Sequence, residues 1–183
     1  MVDINNDAYA QYEILLELSY RVLEYLISSP DAEIIWKLLK YNTADAWGKP
    51  DLTIDEKRAL IYPGGEHSEN YNVFLDFVMD DAVDKEETYL RIYPSQIYPS
   101  NRTVGICAIC FEVFAHSKID HLSNYTTRID TMISALIKSL NGKDIGTIGV
   151  LYFDASRSSY TKVDLLGFKP FKGKVLTMAV NIA

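Results

Sequence analysis

A chain of 183 residues is long enough for one substantial domain, and 48% hydrophobic with 23% charged content supplies a core able to offset the conformational entropy of ordering it. Its 18 Lys and Arg against 25 Asp and Glu leave a formal charge of −7, which argues against tight nucleic-acid binding and against docking on anionic membrane, since both need clustered cations. The first residues carry neither a basic stretch nor an apolar signal core, and no apolar run approaches the roughly 20 residues that span a bilayer, so the expectation is a soluble product made in the cytoplasm.

The first half reads as helical. From Ala8 to Ile27 the residues Ile14, Leu15, Leu18, Val22, Tyr25 and Leu26 recur at spacings of three and four, one stripe of a helix. Ser29-Pro30-Asp31 supplies a capping hydroxyl, a proline suited to a first turn and an acid for the positive end of the dipole, so a shorter helix follows with Ile34, Ile35, Leu38 and Leu39 buried. Gly48-Lys49-Pro50 stops regular structure, and Thr53-Ile54-Asp55-Glu56 matches a capping box that opens a third helix toward Leu60. Pro63-Gly64-Gly65 ends it. Residues 66–87 are expected to be a surface segment closing in an acidic loop with Asp76, Asp80, Asp81, Asp84, Glu86 and Glu87, in which Val73, Phe74, Phe77 and Val78 have helical spacing.

After Thr88 the period changes. Tyr89 to Tyr93 reads as a strand ended by Pro94, and Val104 to Ala115 as a long strand apolar on both faces, hence central and covered on both sides. Asn124 caps a helix from Tyr125 to Leu140 whose stripe is Ile129, Met132, Ile133, Leu136, Ile137 and Leu140, while Arg128, Asp130, Thr131, Lys138 and Ser139 fall largely elsewhere. Asn141-Gly142 terminates it, Ile145 to Asp154 forms a third strand, Tyr160 to Leu166 a short edge strand, and Gly173 releases a last strand from Val175 to Ile182. The fold class is therefore α+β: an N-terminal helical region (1–65), an acidic linking segment (66–87) and a mixed or antiparallel sheet covered by one amphipathic helix (88–183), sharing one core. Thirteen tyrosines against seven phenylalanines suit half-buried surfaces, subunit contacts among them.

Three segments hold residue types that could carry chemistry. Cys107-x-x-Cys110 lies on a strand, where residues three apart point to opposite faces and cannot share an ion, so both are read as buried structural thiols in a reducing compartment. His116-Ser117-Lys118-Ile119-Asp120-His121 gathers two imidazoles and a carboxylate, the best chemical candidate, but adjacent residues on an extended segment diverge and no glycine-flanked serine forms a nucleophile elbow. Gly142 to Gly149 has its lysine in the wrong place for a phosphate loop, and its glycines serve a turn and a close approach of backbones. The expectation is a protein without catalytic residues, metal site or cofactor.

Two blocks carry a resemblance. Ile35-Trp36-Lys37-Leu38-Leu39-Lys40-Tyr41-Asn42-Thr43-Ala44-Asp45-Ala46 with Lys49-Pro50-Asp51-Leu52-Thr53, and then the strands Leu90 to Tyr93 and Ile106 to His116, the Arg128-Ile129-Asp130-Thr131-Met132-Ile133 helix start, Leu140-Asn141-Gly142 and Ile145 to Gly149, resemble neck proteins of long-tailed bacteriophages, the tail terminators and head-to-tail connectors. The resemblance implies a structural component of the virion, a homo-oligomeric ring whose partners are other copies of itself and neck, portal-adaptor or tail-tube proteins, with DNA passing through the channel without tight binding and no membrane partner. It transfers no catalytic residue. The competing readings are a protein-protein interaction domain unrelated to phages and a small metal-binding enzyme centred on His116, Asp120 and His121.

Overall fold

The computed structural model describes residues 10–65, 67–76, 85–99, 105–146 and 149–182. Helices α1 (Ala10–Ser28), α2 (Glu33–Lys40) and α3 (Ile54–Arg58) come first, then strand β1 (Val73–Phe74), the long strands β2 (Thr88–Pro99) and β3 (Gly105–His116), helix α4 (Arg128–Leu140), the short β4 (Lys143–Asp144) and β5 (Val150–Tyr152), and finally β6 (Lys162–Phe168) and β7 (Phe171–Ile182). The fold is α+β, with one sheet in the order β1-β2-β3-β7-β5-β4, and β6 beside β7 on the same side as β5. All pairings are antiparallel except β1 with β2.

The alternation of β3 decides how the layers stack. Cys107, Ile109, Phe111, Val113 and Ala115 point to one face and join one apolar cluster with Leu18, Val22 and Leu26 of α1, Ile35, Trp36 and Leu39 of α2, and Met132, Leu136 and Leu140 of α4. The helices thus share a single face of the sheet. The opposite face holds a smaller aromatic cluster at one end, Phe74, Tyr89, Phe114 and Phe171, with rings 5.4 to 6.5 Å apart along its chain of contacts. β3 is central and covered on both sides, as its run of apolar residues predicts.

The helix ends are tied together by side chains. The last carbonyls of α1 accept from the Trp36 indole at Leu26 (3.0 Å) and from the buried Lys57 ammonium at Ile27 (3.2 Å). Lys57 also pairs with Glu33 at 2.6 Å, so three helices meet at one satisfied charge. The capping box at α3 forms as its sequence predicts: Glu56 donates its N–H to the Thr53 hydroxyl and its carboxylate accepts from the Thr53 N–H.

Several local expectations are corrected. Ser29 makes no capping hydrogen bond, and Pro30 opens a single 3-10 turn ahead of α2. Val73 and Phe74 form a buried parallel strand, because Leu90 and Arg91 offer an edge that a helix could not use; Phe77, Val78, Asp80, Asp81 and Asp84 lie outside the described residues. Pro94 does not end β2. The ladder slips by one residue between Pro94 and Gln96, and the extra residue, Ser95, donates its hydroxyl to the Ala108 carbonyl at 3.1 Å; among the described residues the outer side of β2 is unpaired there, so a missing N–H is tolerated.

α4 begins at Arg128, capped by Thr127, whose hydroxyl accepts the Asp130 N–H at 3.1 Å. Asn124 instead folds onto Thr126, and Tyr125 has a φ of 65°, which no helix contains. The stretch expected as one strand from Ile145 splits into the hairpin β4–β5, turned by Gly146 and by Gly149, where a side chain would stand 3.1 Å from the Asn181 carbonyl. Gly173 lies inside β7 and does not precede it: a Cβ there would come 2.7 Å from the Val113 carbonyl, so only glycine lets β7 lie this close to β3.

Candidate functional site

The chemical candidate after β3 is dispersed by the fold. His116 ends β3 on the face without helices, buried edge-on against Phe171 at 5.6 Å, and its Nδ1 accepts the Lys118 N–H at 3.3 Å. Asp120 is buried beneath α4, where its carboxylate accepts the Ile129 N–H at 3.5 Å and lies 3.8 Å from the Lys172 ammonium. His121 is exposed and its backbone bridges to Thr127. Among the described residues no three His, Cys, Asp or Glu side chains gather as a metal would require.

What the sequence places off the apolar stripe of α4, and the fold buries, is Arg128. Its guanidinium is fully covered, donating from Nε to the Ile119 carbonyl (3.1 Å), from one terminal nitrogen to Leu38 (2.7 Å) and Tyr41 (2.9 Å), and from the other to Thr43 (2.9 Å). These carbonyls close α2 and the turn after it, so the cation sits at the negative end of that helix. Burial pulls its pKa down to about 10, opposed by the nearby Asp120 charge. No sequence signal marks this: three of the four acceptors are backbone groups more than eighty residues away.

The two thiols part as expected. Cys107 faces the helices within the core, and burial pushes its thiol up to about 12. Cys110, on the other face, lies 3.6 Å from the Thr177 hydroxyl.

Cys110 opens onto a cleft of about 420 Å³ on the helix-free face, lined among others by Tyr93, Gln96, Glu112, Tyr160 and Lys162. Its charges are paired. Glu112, 9% exposed, faces Arg91 at 3.1 Å and accepts the Tyr93 hydroxyl at 2.5 Å; Lys162 meets Asp164 at 2.7 Å. Burial, with the Glu112 carboxylate beside it, raises the Tyr93 phenol above its ordinary value. Tyr98 and Tyr160 stack at 3.7 Å across one rim.

The edges of the sheet are the remaining candidates. β1 covers β2 only at Leu90 and Arg91, and among the described residues β6 has no strand on its outer side. The faces are known from the pairings: Val163 and Leu165 lie opposite Leu176 and Lys174, on the side where Leu176 meets the helices. Val163 is 39% and Leu165 86% exposed, and Ile97, which pairs with core-facing Cys107 in the outer half of β2, is 46% exposed on that same side. A shallow cleft of about 390 Å³ runs between Leu165 and the start of α4, lined among others by Ile129, Asp130 and Lys174.

Among the described residues no helix is long and apolar enough to cross a membrane. Neither the curated proteins nor the solved structures give a match to this chain. A protein-family model, YomW, matches residues 32–179, from the turn before α2 to the far part of β7 and so nearly the whole layered core. The chain therefore belongs to the YomW family, a family of phage gene products, and is phage-associated.

Proposed function

We propose that this protein is a non-catalytic structural subunit of a bacteriophage neck, a tail terminator or head-to-tail connector that closes into a homo-oligomeric ring between the portal side and the tail tube. The observation that carries the proposal is a sheet that, among the described residues, is left open at both sides, along the outer half of β2 and along β6. Two different edges on one subunit are what a head-to-tail contact requires, and such contacts close into rings when the rotation between neighbours permits.

Three features support it. Helices α1, α2 and α4 gather on one face of the sheet, so the face with the 420 Å³ cleft is the one turned to the channel. Around the cleft on that face Arg91 is matched by Glu112 and Lys162 by Asp164, so among the described residues the cations there are compensated and would not grip passing phosphates. The matched family is phage-associated, and the resemblance to neck proteins lies in segments that fall inside the matched range.

The test is the mass of the purified protein in solution together with its position in intact particles, by labelling. A ring, or a monomer that joins rings on contact with tail tubes or portals, is the expected result. A strictly monomeric protein that binds neither, or one located away from the neck, would overturn the proposal.

A further inference from the structure

We infer that the ring is sewn by strand addition: β6 of one subunit pairs antiparallel with the outer half of β2, residues 96–98, of the next copy. This rests on the ring reading above and names its contact.

β2, β3, β7 and β6 are joined by three successive antiparallel pairings, so β2 and β6 run opposite ways. A neighbour generated by rotation about an axis that stands off from the sheet and runs roughly along the strands therefore brings its β2 antiparallel to β6, and its helix-bearing face stays on the same side. No reversal or twist of the subunit is needed.

The side chains agree with this. In an antiparallel pair, residues opposite one another share a face. Val163 and Leu165 of β6 and Ile97 of β2 are all on the helix side, all exposed in the single subunit, and all apolar. On the other side Lys162 and Asp164, already paired, would meet Gln96 and Tyr98. An apolar strand edge of this kind is a liability unless a strand covers it. The level-matched alternative, β4, is only two residues long.

Stagger gives an independent check. Followed across the pairings, Ile97 is level with Val180 of β7, whereas Val163 and Leu165 are level with Leu176 and Lys174. Placing Ile97 opposite Val163 or Leu165 thus shifts each copy by four or six residues, about 13 or 20 Å at ~3.3 Å per residue, over four strands roughly 19 Å wide. Strands in such a ring tilt by about 35 to 45° from its axis, which is where closed sheets settle. Level edges would have demanded strands parallel to the axis, a geometry twisted sheets avoid.

The test uses cysteines at the join. Ile97→Cys combined with Val163→Cys or Leu165→Cys, treated with a short bifunctional maleimide, should give a ladder of covalent oligomers, while each single variant gives none; the native thiols Cys107 and Cys110 are buried and are controlled for by the unsubstituted protein treated with the same reagent. Leu165→Lys, at a position exposed enough to leave the subunit folded, should weaken ring formation by on the order of tenfold or more, the effect of about 1.4 kcal/mol per contact. If rings form but neither register cross-links and Leu165→Lys assembles normally, the strand assignment is overturned and the ring reading stands. If the unmodified protein forms no ring under any neck-assembly condition, both fall together.

Discussion

Arg128 shows how much one residue can hold. Its four hydrogen bonds all end on backbone carbonyls of the 38–43 segment and of Ile119, so removing the guanidinium leaves those acceptors buried without a donor. Arg128→Met is expected to destabilise the protein by about 3 kcal/mol or more, read from urea unfolding, and Arg128→Lys to recover only a part, because an ammonium cannot reach carbonyls spread around a planar fork. A second prediction concerns alkaline pH. The folded state raises the pKa of Cys107, to about 12, and those of Tyr89 and Tyr93 as well, chiefly by burial. Groups raised in the folded state contribute stability that is complete below their unfolded values, near 9 for the thiol and 10 for the phenols, and lost as pH rises beyond them. Urea midpoints should therefore fall between pH 9 and 12, and the Cys107 thiol should resist alkylation at pH 8 until the protein is unfolded; prompt alkylation would contradict its placement.

At the scale of elements, the packing of β7 on β3 and the start of α4 are the informative cases. Gly173→Ala forces a methyl against the Val113 carbonyl and the Phe114 side chain, and is expected to cost about 1 to 3 kcal/mol in thermal or urea unfolding. Thr127→Ala should cost about 1 kcal/mol through loss of the cap, whereas Asn124→Ala should cost clearly less, since Asn124 caps no helix. Both caps look alike in sequence, a small polar residue ahead of an apolar stripe. What separates them is the positive φ of Tyr125, which no local propensity announces for a tyrosine. The α4 stripe itself was legible, because Ile129, Met132, Ile133, Leu136 and Leu140 recur with the helical period and are buried. The β1 strand was not, since two residues are too few to show any period.

Across the whole molecule, the N-terminal helices and the sheet share one apolar cluster, so neither half has a face of its own to bury. A fragment beginning at residue 66 is expected to lack a cooperative melt and to be digested rapidly, because β2 and β3 would lose the cover of α1 and α2 while keeping that of α4. A fragment with a sharp melt would show that the C-terminal part has a separate core. In the assembled state, the same logic applied to the edges predicts that ring formation protects the amides of β6 and residues 96–98 from hydrogen exchange, relative to a Leu165→Lys monomer.

The sequence by itself determined the α+β class, the order of its main elements, the amphipathic faces and the divergence of the two cysteines, because each follows from a period of 3.6 or 2 within one continuous segment. The tertiary structure alone decided that Arg128 is buried, that His116, Asp120 and His121 turn to three different surroundings, that Pro94 is absorbed in a bulge, and that β2 and β6 are open edges among the described residues. Those depend on groups brought together from distant parts of the chain, and backbone carbonyls and unpaired strand edges, which settle most of them, carry no residue-specific signature for a sequence to display.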